Sequence, residues 1–151
     1  MNMVEPSESR HHPTRPWAGV VVVVWRDDKF LLTLRAKPPH AGSWGLPGGA
    51  LNLGETVFMA AVREVQEETG ILCQPRVSFT TVDIIERDTS GAVAFHFLLA
   101  SVVADYVSGT IRPSDDAQDA CWFMTDNLAT LPNVPLTAEL VAQSRQHHKK
   151  S

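Results

Sequence analysis

The apolar residues of the first 35 positions form two dense runs separated by a short polar break. Residues 18–25 have the sequence AGVVVVVW and residues 30–35 have FLLTLR, with RDDK between them. Runs rich in β-branched residues around a polar turn are typical of a β-hairpin, and an uninterrupted apolar run is typical of a strand covered on both faces. We therefore predict a hairpin whose first strand is buried.

Beyond residue 56 the spacing of the apolar positions changes to that of a helix. The pattern continues to residue 69, and Gly70 follows at the position where a left-handed residue would end the helix. We predict an α-helix over residues 56–69 that faces the core through one arc at about 3.6 residues per turn. The residues of this arc are Phe58, Ala61, Val62 and Val65.

The later part of the chain predicts a second hairpin, a short strand and a terminal helix. Residues 77–85 and 92–103 are apolar and β-branched, and they flank the turn formers of residues 86–91. Residues 121–124 form a short apolar run, and residues 136–146 have an amphipathic period. Strands and helices therefore alternate along the chain, which predicts an α/β fold.

The polar ends and loops of the sequence set the expected domain boundaries. Residues 1–16 are polar and without hydrophobic period, which predicts a flexible segment. Residues 37–49 contain three prolines and four glycines, so they predict a loop with at most a short extended piece near Trp44 and Leu46. We expect one domain over residues 17–151, since 151 residues suit a single core.

Composition and charge narrow the class of partner. The formal net charge is −4, from 17 acidic and 13 basic side chains. The chain therefore has no net positive field that would favour binding of a nucleic-acid polymer. The only two cysteines are expected to be reduced thiols, and the longest apolar run, residues 18–25, is too short to cross a membrane. We expect a cytoplasmic protein that binds a small substrate, and a bound divalent cation would let it hold an anionic one.

Three carboxylates of the predicted helix carry the strongest chemical signal. Glu64, Glu67 and Glu68 share an arc of roughly 100°, beside the apolar arc. Their repulsion would cost a few tenths of a kcal/mol per pair unless something offsets it. Carboxylate oxygens suit Mg²⁺, or Mn²⁺, especially where phosphates are also bound. The alternative is a solvated acidic helix face.

The residues around this arc could complete a site. Arg63 could fix a neighbouring carboxylate by a bidentate contact, or it could bind a phosphate directly. Gly48 and Gly49 would let the backbone approach a cation or phosphate closely, and the Gly49 carbonyl is a candidate metal ligand. Two adjacent glycines are also common where a turn needs backbone freedom alone.

Taken together, residues 49–71 match the Nudix box at every defined position, so the chain resembles the Nudix hydrolase superfamily. The resemblance implies an α/β/α sandwich with a central mixed β-sheet and attack of a metal-activated water on one phosphorus of a pyrophosphate. It also implies the site roles. Glu64, Glu67 and Glu68 would bind metal, Glu64 would help deprotonate the water, Arg63 would orient the cluster, and Glu55 and Gly70 would support it.

Family members often add an acidic residue from a later loop, as a base or as an extra metal ligand. The candidates here are Asp116, which we take as catalytic, and Asp115. Asp119 and Glu86 are weaker alternatives. An aspartate in such a loop could equally cap a turn.

The substrate is less well defined by sequence. Residues 43–51 and 114–117 are similar to those of the bacterial ADP-ribose pyrophosphatase-like branch, although residues 85–88 lack the proline typical of it. Residues 31–36 resemble the start of a coenzyme A motif, but His40 stands where that motif has arginine. We therefore expect a nucleoside diphosphate linked to another moiety, with ADP-ribose favoured.

Three further residues are candidate binding groups with structural alternatives. Arg35 could contact a phosphate or could be an exposed arginine at a strand end. Trp44 and Trp17 could stack on a base or could belong to the core. His96, inside an apolar strand, is expected to be structural.

Two other functions remain open from sequence. A nucleoside triphosphate pyrophosphohydrolase of the nucleotide-cleansing kind would share the chemistry but would release inorganic pyrophosphate. A non-catalytic nucleotide-binding domain would share the fold, but such domains often lack the box carboxylates that this chain retains. The resemblance also implies a possible homodimer.

Overall fold

The computed structural model describes residues 9–112 and 117–148, without the side chain of Gln118. In this part of the chain, seven strands form one mixed sheet with a helix on each face. In chain order the elements are β1 (Trp17–Arg26), β2 (Lys29–Arg35), β3 (Trp44–Gly45), β4 (Gly48–Ala50), α1 (Val57–Thr69), β5 (Leu72–Arg87), β6 (Val93–Ser108), β7 (Ala117–Phe123), a 3₁₀ helix (Thr125–Ala129) and α2 (Thr137–His148).

The central strand β1 joins two halves of the sheet. Strands lie in the order β3-β2-β1-β6-β5, with β4 also paired to β1 and β7 to β2. Pairing between β1 and β6 is parallel and the other pairs are antiparallel, so the sheet is mixed as predicted. Strands β1 and β2 pair through Trp25–Phe30 and Arg26–Lys29, next to the turn that joins them. The first half of β1 pairs instead with β4.

The apolar run of β1 is explained by its burial on both faces. Val20, Val22 and Val24 are fully buried in the cluster that includes α1. Val23 and Trp25 point to the opposite face and pack in the cluster that includes α2. Alternation along a strand therefore supplies both cores, and each buried valine contributes roughly 1.5–3 kcal/mol. The predicted α/β/α sandwich is confirmed.

Helix α1 has the predicted ends but a different buried stripe. The Thr56 hydroxyl accepts a hydrogen bond from the Met59 N–H at 3.1 Å, and Gly70 ends the helix with φ of 78°. Phe58 was expected in the core and is 41% exposed, whereas Ala60 is fully buried. Small alanine side chains let the helix approach the sheet closely, and the helix is rotated so that part of its acidic arc also faces the sheet.

The second hairpin is longer than the sequence predicted. Strands β5 and β6 extend over 16 residues each, with several register shifts between them. Asp88 closes the turn, because its carboxylate accepts hydrogen bonds from the N–H groups of Ser90 at 2.9 Å and Ala92 at 3.0 Å. The Ser90 hydroxyl, which donates to the same carboxylate at 2.6 Å, lowers the pKa of Asp88, and the contact with His12 and the two backbone hydrogen bonds act in the same direction.

Strand β4 was missed from sequence because it consists mainly of glycine, which carries no strand pattern. The described residues of the amino-terminal segment, 9–16, contact the hairpin through a backbone hydrogen bond from His12 to Ala94 at 2.8 Å. The flexibility of residues 1–16 stays a prediction. In the parts of the chain that the structure describes, both helices are too short or too polar to cross a membrane.

Candidate functional site

Arg63 of α1 connects the helix to the loop that precedes it. Its Nε and Nη2 donate to the two oxygens of Glu55 at 2.7 and 2.8 Å, which is a bidentate pair. Nη1 donates to Oε1 of Glu64 at 2.8 Å, and Nη2 also donates to the Ala50 carbonyl at 3.1 Å. The guanidinium therefore holds one oxygen of Glu64 in place and ties it to the end of β4.

Glu64 and Glu68 form a close pair on the face of α1 that meets β4. Burial raises the pKa of Glu68 to about 9, and the charge of Glu64 and a hydrogen bond between the two side chains act in the same direction. The Gly48 N–H and the charge of Arg35 act in the opposite direction. A divalent cation bound between the two carboxylates would stabilise their charged forms. Hard oxygen donors with uncompensated charge suit a divalent metal ion.

Gly48 and Gly49 are required for two different reasons. A Cβ on Gly49 would lie 2.6 Å from Oε1 and 2.7 Å from Cδ of Glu64, so the absence of a side chain makes room for this carboxylate. A Cβ on Gly48 would lie 2.1 Å from the Val20 carbonyl oxygen and 2.9 Å from the Val21 Cα. Gly49 thus accommodates a functional side chain, whereas Gly48 accommodates the backbone of β1.

The third carboxylate of the arc lies farther out. The Glu67 side chain is 61% exposed and accepts from Arg63 Nη1 at 3.2 Å, whereas that of Glu64 is 14% exposed. Within residues 9–112 and 117–148, no three acidic, histidine or cysteine side chains are already grouped as metal ligands would be. Glu67 could join the pair by rotating its flexible side chain. The structure brings two of the three predicted ligands together and leaves the third nearby on the surface.

Arg35 lies on the same side of the sheet as this pair. Its charge acts on Glu68, while burial lowers the pKa of Arg35 itself. Its Nε donates to the Pro39 carbonyl at 2.7 Å, and His40, next in sequence, contacts Glu86 Oε1 at 2.9 Å. The loop after β2 therefore fixes the position of the Arg35 guanidinium beside the carboxylates.

Several other candidates have different surroundings. Trp44 packs edge-on against Phe123 in the core cluster of the α2 face, which favours its core interpretation over base stacking. Glu86 contacts His40, and Asp119 accepts from the Ala120 N–H at 2.8 Å. His96 lies in β6, where it pairs with Ile85. The leading candidates for the distal acid, Asp115 and Asp116, lie outside the described residues.

Two groups that position the site carry no side-chain signal. The Ala50 carbonyl accepts from Arg63, and the Asn52 N–H donates to Oε1 of Glu55 at 3.0 Å. Both are backbone groups, so residue identity at these positions gives no indication of them. The number of residues in the loop between β4 and α1 is the one sequence feature that could have suggested these backbone contacts.

The ion pair between Glu55 and Arg63 should make the free energy of unfolding depend on pH in the acid range. Its hydrogen bonds to Arg63, and then to the Asn52 N–H, lower its pKa from about 4.5 to about 2. A carboxylate with a lowered folded-state pKa stabilises the protein above its unfolded pKa and loses this effect as pH falls toward about 2. We expect Glu55→Gln to lower the free energy of unfolding at pH 7 and the deficit to shrink below about pH 4.5.

Urea unfolding of both proteins between pH 7 and pH 3 measures this difference. Glu139→Gln is a matched control because Glu139 is an exposed residue of α2, on the opposite face of the sheet from the acidic arc. A deficit that stays constant over the whole range would contradict the assigned ion pair.

Comparison with known proteins places this geometry in context. A family model described as NUDIX domain matches residues 15–143. A protein of Methanocaldococcus jannaschii named ADP-ribose pyrophosphatase is 34% identical over 116 residues, which cover 77% of this chain and 66% of that protein. A human protein named 8-oxo-dGDP phosphatase NUDT18 is 36% identical over 138 residues, which cover 84% of this chain and 39% of that protein.

The fold is also similar to a solved structure. The MutT NUDIX hydrolase from Burkholderia pseudomallei superposes with a TM-score of 0.72 at 31% identity, covering 85% of this chain and 98% of that one. The matched part of this chain spans less than two thirds of the length of each of the two curated relatives, so each match covers only part of that protein.

Proposed function

Because the chain belongs to the Nudix hydrolase family, we propose that it hydrolyses the pyrophosphate bond of a nucleoside diphosphate linked to another group, with ADP-ribose favoured. One observation carries the proposal: the Glu64–Glu68 pair is held between Arg63 and the glycine backbone of β4. A paired carboxylate cluster of this kind would serve little purpose in packing. The preference for ADP-ribose is supported by the name of the Methanocaldococcus relative.

The donor set fits a divalent cation, for which Mg²⁺ is favoured and Mn²⁺ is the alternative. We propose that Glu64, Glu67, Glu68 and the Gly49 carbonyl hold it. When bound, the cation supplies charge neutralisation on the phosphates and a lowered pKa for the attacking water. The burial of Glu68 beside Glu64 supports this assignment, because two adjacent carboxylates with little access to water are stabilised in their charged forms by a cation.

The residues of the chain would each perform one task in the reaction. Arg63 holds Oε1 of Glu64, so Oε2 is the oxygen that takes the proton of the attacking water. The water oxygen bonds to one phosphorus, and the bond from that phosphorus to the bridging oxygen breaks. The bridging oxygen leaves with the second phosphate, whose charge Arg35 offsets. We take Glu64 as the general base here, while Asp116 stays a candidate for the same task.

Metal binding should be visible as stabilisation. We expect Mg²⁺ to raise the melting temperature of chelator-treated protein, because a ligand at about 100 times its Kd adds roughly 2.7 kcal/mol to the folded state. The expected rise is smaller in Glu68→Gln, which removes one ligand, and unchanged in Glu139→Gln. Differential scanning calorimetry with Mg²⁺ and with chelator measures it. An equal rise in Glu68→Gln would contradict a role for Glu68 in metal binding.

Product analysis tests the proposed reaction against its alternatives. A panel of ADP-ribose, NADH, nucleotide sugars, coenzyme A, dinucleoside polyphosphates and nucleoside triphosphates should give two phosphorylated organic fragments from one member. Release of inorganic pyrophosphate from a triphosphate would support a nucleoside triphosphate pyrophosphohydrolase of the nucleotide-cleansing kind. Tight nucleotide binding without turnover would support the non-catalytic domain. A homodimer, a cytoplasmic location and discrimination against nucleic-acid polymers remain predictions.

A further inference from the structure

A concave surface lies on the α2 face of the sheet, at the amino-terminal end of β1. It has a volume of about 640 Å³, and its lining includes Arg10, Trp17, Lys37 and Phe95. Trp17 is an even number of positions from Val23, so both point to this face, opposite the residues that contact α1. We name this surface the Trp17 groove. It lies apart from the Glu64–Glu68 pair.

One wall of the Trp17 groove is the amino-terminal segment of residues 9–16, which is held against the β5–β6 hairpin. Besides its backbone bond to Ala94, His12 contacts the Asp88 carboxylate at 3.0 Å. The ring of His11 stacks on Phe95 with centroids 5.0 Å apart. Three contacts therefore join this segment to the hairpin at the edge of the groove.

The opposite wall is the loop that follows β2, and the same hairpin holds it. The contact between His40 and Glu86 joins this loop to β5, while Pro39 accepts from Arg35. Lys37 and Pro38 of the loop line the groove. The end of the hairpin thus fixes both walls, so the groove is a built feature of the fold.

The lining combines positive charge with aromatic surface. Arg10 and Lys37 contribute cations, and none of the described residues that line the groove is acidic, although the whole chain has a net charge of −4. The guanidinium groups of Arg10 and Arg15 both lie 5.5 Å from the centroid of the Trp17 ring. Such surfaces bind ligands that are both anionic and aromatic, because cations attract phosphate and rings stack on bases.

We propose that the Trp17 groove binds the nucleoside monophosphate part of the substrate, which rests on the proposed function. Lys37 follows Arg35 by two residues, so at most about 7 Å of chain separates the residue assigned to the phosphate from the rim of the groove. Because Arg35 is the last residue of β2 and the loop beyond it lines the groove, a substrate with its pyrophosphate at Arg35 can extend around the end of this strand and place its nucleoside end in the groove. The groove then accounts for selection of a nucleotide over a simple phosphorylated sugar.

Binding of AMP and of ribose 5-phosphate in the presence of chelator, measured by calorimetry, tests the groove without any turnover. We expect the full-length protein to bind AMP and the double variant Arg10→Gln/Lys37→Gln to bind it about tenfold more weakly or worse. Phe95→Thr keeps a residue with a strong strand preference in β6 and should weaken AMP binding to the same extent. Ribose 5-phosphate, which has a phosphate but no base, should bind equally to the unmodified chain and to Phe95→Thr. Lys29→Gln, at the turn between β1 and β2, is the charge-matched control and should bind AMP like the unmodified chain.

Steady-state kinetics with Mg²⁺ and ADP-ribose provide the second arm. The groove variants should raise KM about tenfold and leave kcat within about twofold, because the groove binds without taking part in the chemistry. Unchanged AMP affinity in the groove variants, or an unchanged KM, would overturn the proposal. If the unmodified chain cleaves no substrate, the proposed function fails, and AMP binding in chelator still decides whether the groove is a nucleotide site.

Discussion

Glu64→Gln should lower kcat by about 10²- to 10⁴-fold while the protein remains folded. Glutamine keeps the shape of the side chain and can still accept a hydrogen bond from Arg63, which now donates to Oε1 of Glu64 at 2.8 Å. It cannot take a proton from water and is a poor ligand for a hard cation. Single-turnover kinetics on the preferred substrate measure the effect on the chemical step.

Stability measurements separate this loss from unfolding. In chelator the melting temperature of Glu64→Gln should lie close to that of the unmodified protein. The substitution loses the ion pair with Arg63, but it also removes the negative charge that, after burial, raises the pKa of Glu68. Glu139→Gln on α2 serves as the matched control and should retain full kcat. A Glu64→Gln protein that turns over normally would remove Glu64 from the mechanism.

The two adjacent glycines of β4 should respond differently to alanine. In Gly49→Ala the new methyl group would displace the Glu64 carboxylate, 2.6 Å away, which is the end of a flexible side chain. We expect a loss of about 10²-fold in kcat with little change in stability, since a misplacement of about 1 Å can have this effect on catalysis. Enzyme assays and thermal unfolding of the same preparation give both quantities.

In Gly48→Ala the methyl group would meet the Val20 carbonyl oxygen at 2.1 Å, in the backbone of the central strand. Backbone cannot rotate away, so we expect destabilisation of about 1–3 kcal/mol or more. Circular dichroism during urea unfolding measures it, with Gly49→Ala as the control for adding a methyl group to this strand. Equal stability of the two variants would contradict the described packing of β4 against β1.

The fold was largely predictable because its strongest determinants are local patterns. The apolar run of β1, the helical period of α1 and the glycine at its end each follow from the backbone geometry of one element. The rotation of α1 was not predictable from its own residues. Phe58 lies outward because Ala60 and Ala61 set the distance between helix and sheet, which is a property of the packed pair.

The candidate site was predictable to the extent that it lies on one helix. The spacing of Glu64 and Glu68 placed them on one face, and the structure joins them by a hydrogen bond. The surroundings of Trp44 depend on which way a two-residue strand presents its side chains, and so short an element has no readable alternation. The Trp17 groove depends on segments that are distant in sequence, so no single motif indicates it.

Cleavage of ADP-ribose in water enriched with ¹⁸O, with Mg²⁺ and in parallel with chelator, tests the central claim most directly. We predict that mass spectrometry will find AMP and ribose 5-phosphate with one ¹⁸O atom in the phosphate of one product, and no cleavage in chelator. That result would show attack of water on one phosphorus of the pyrophosphate. Cleavage that persists in chelator, or products that retain an intact pyrophosphate, would contradict the account.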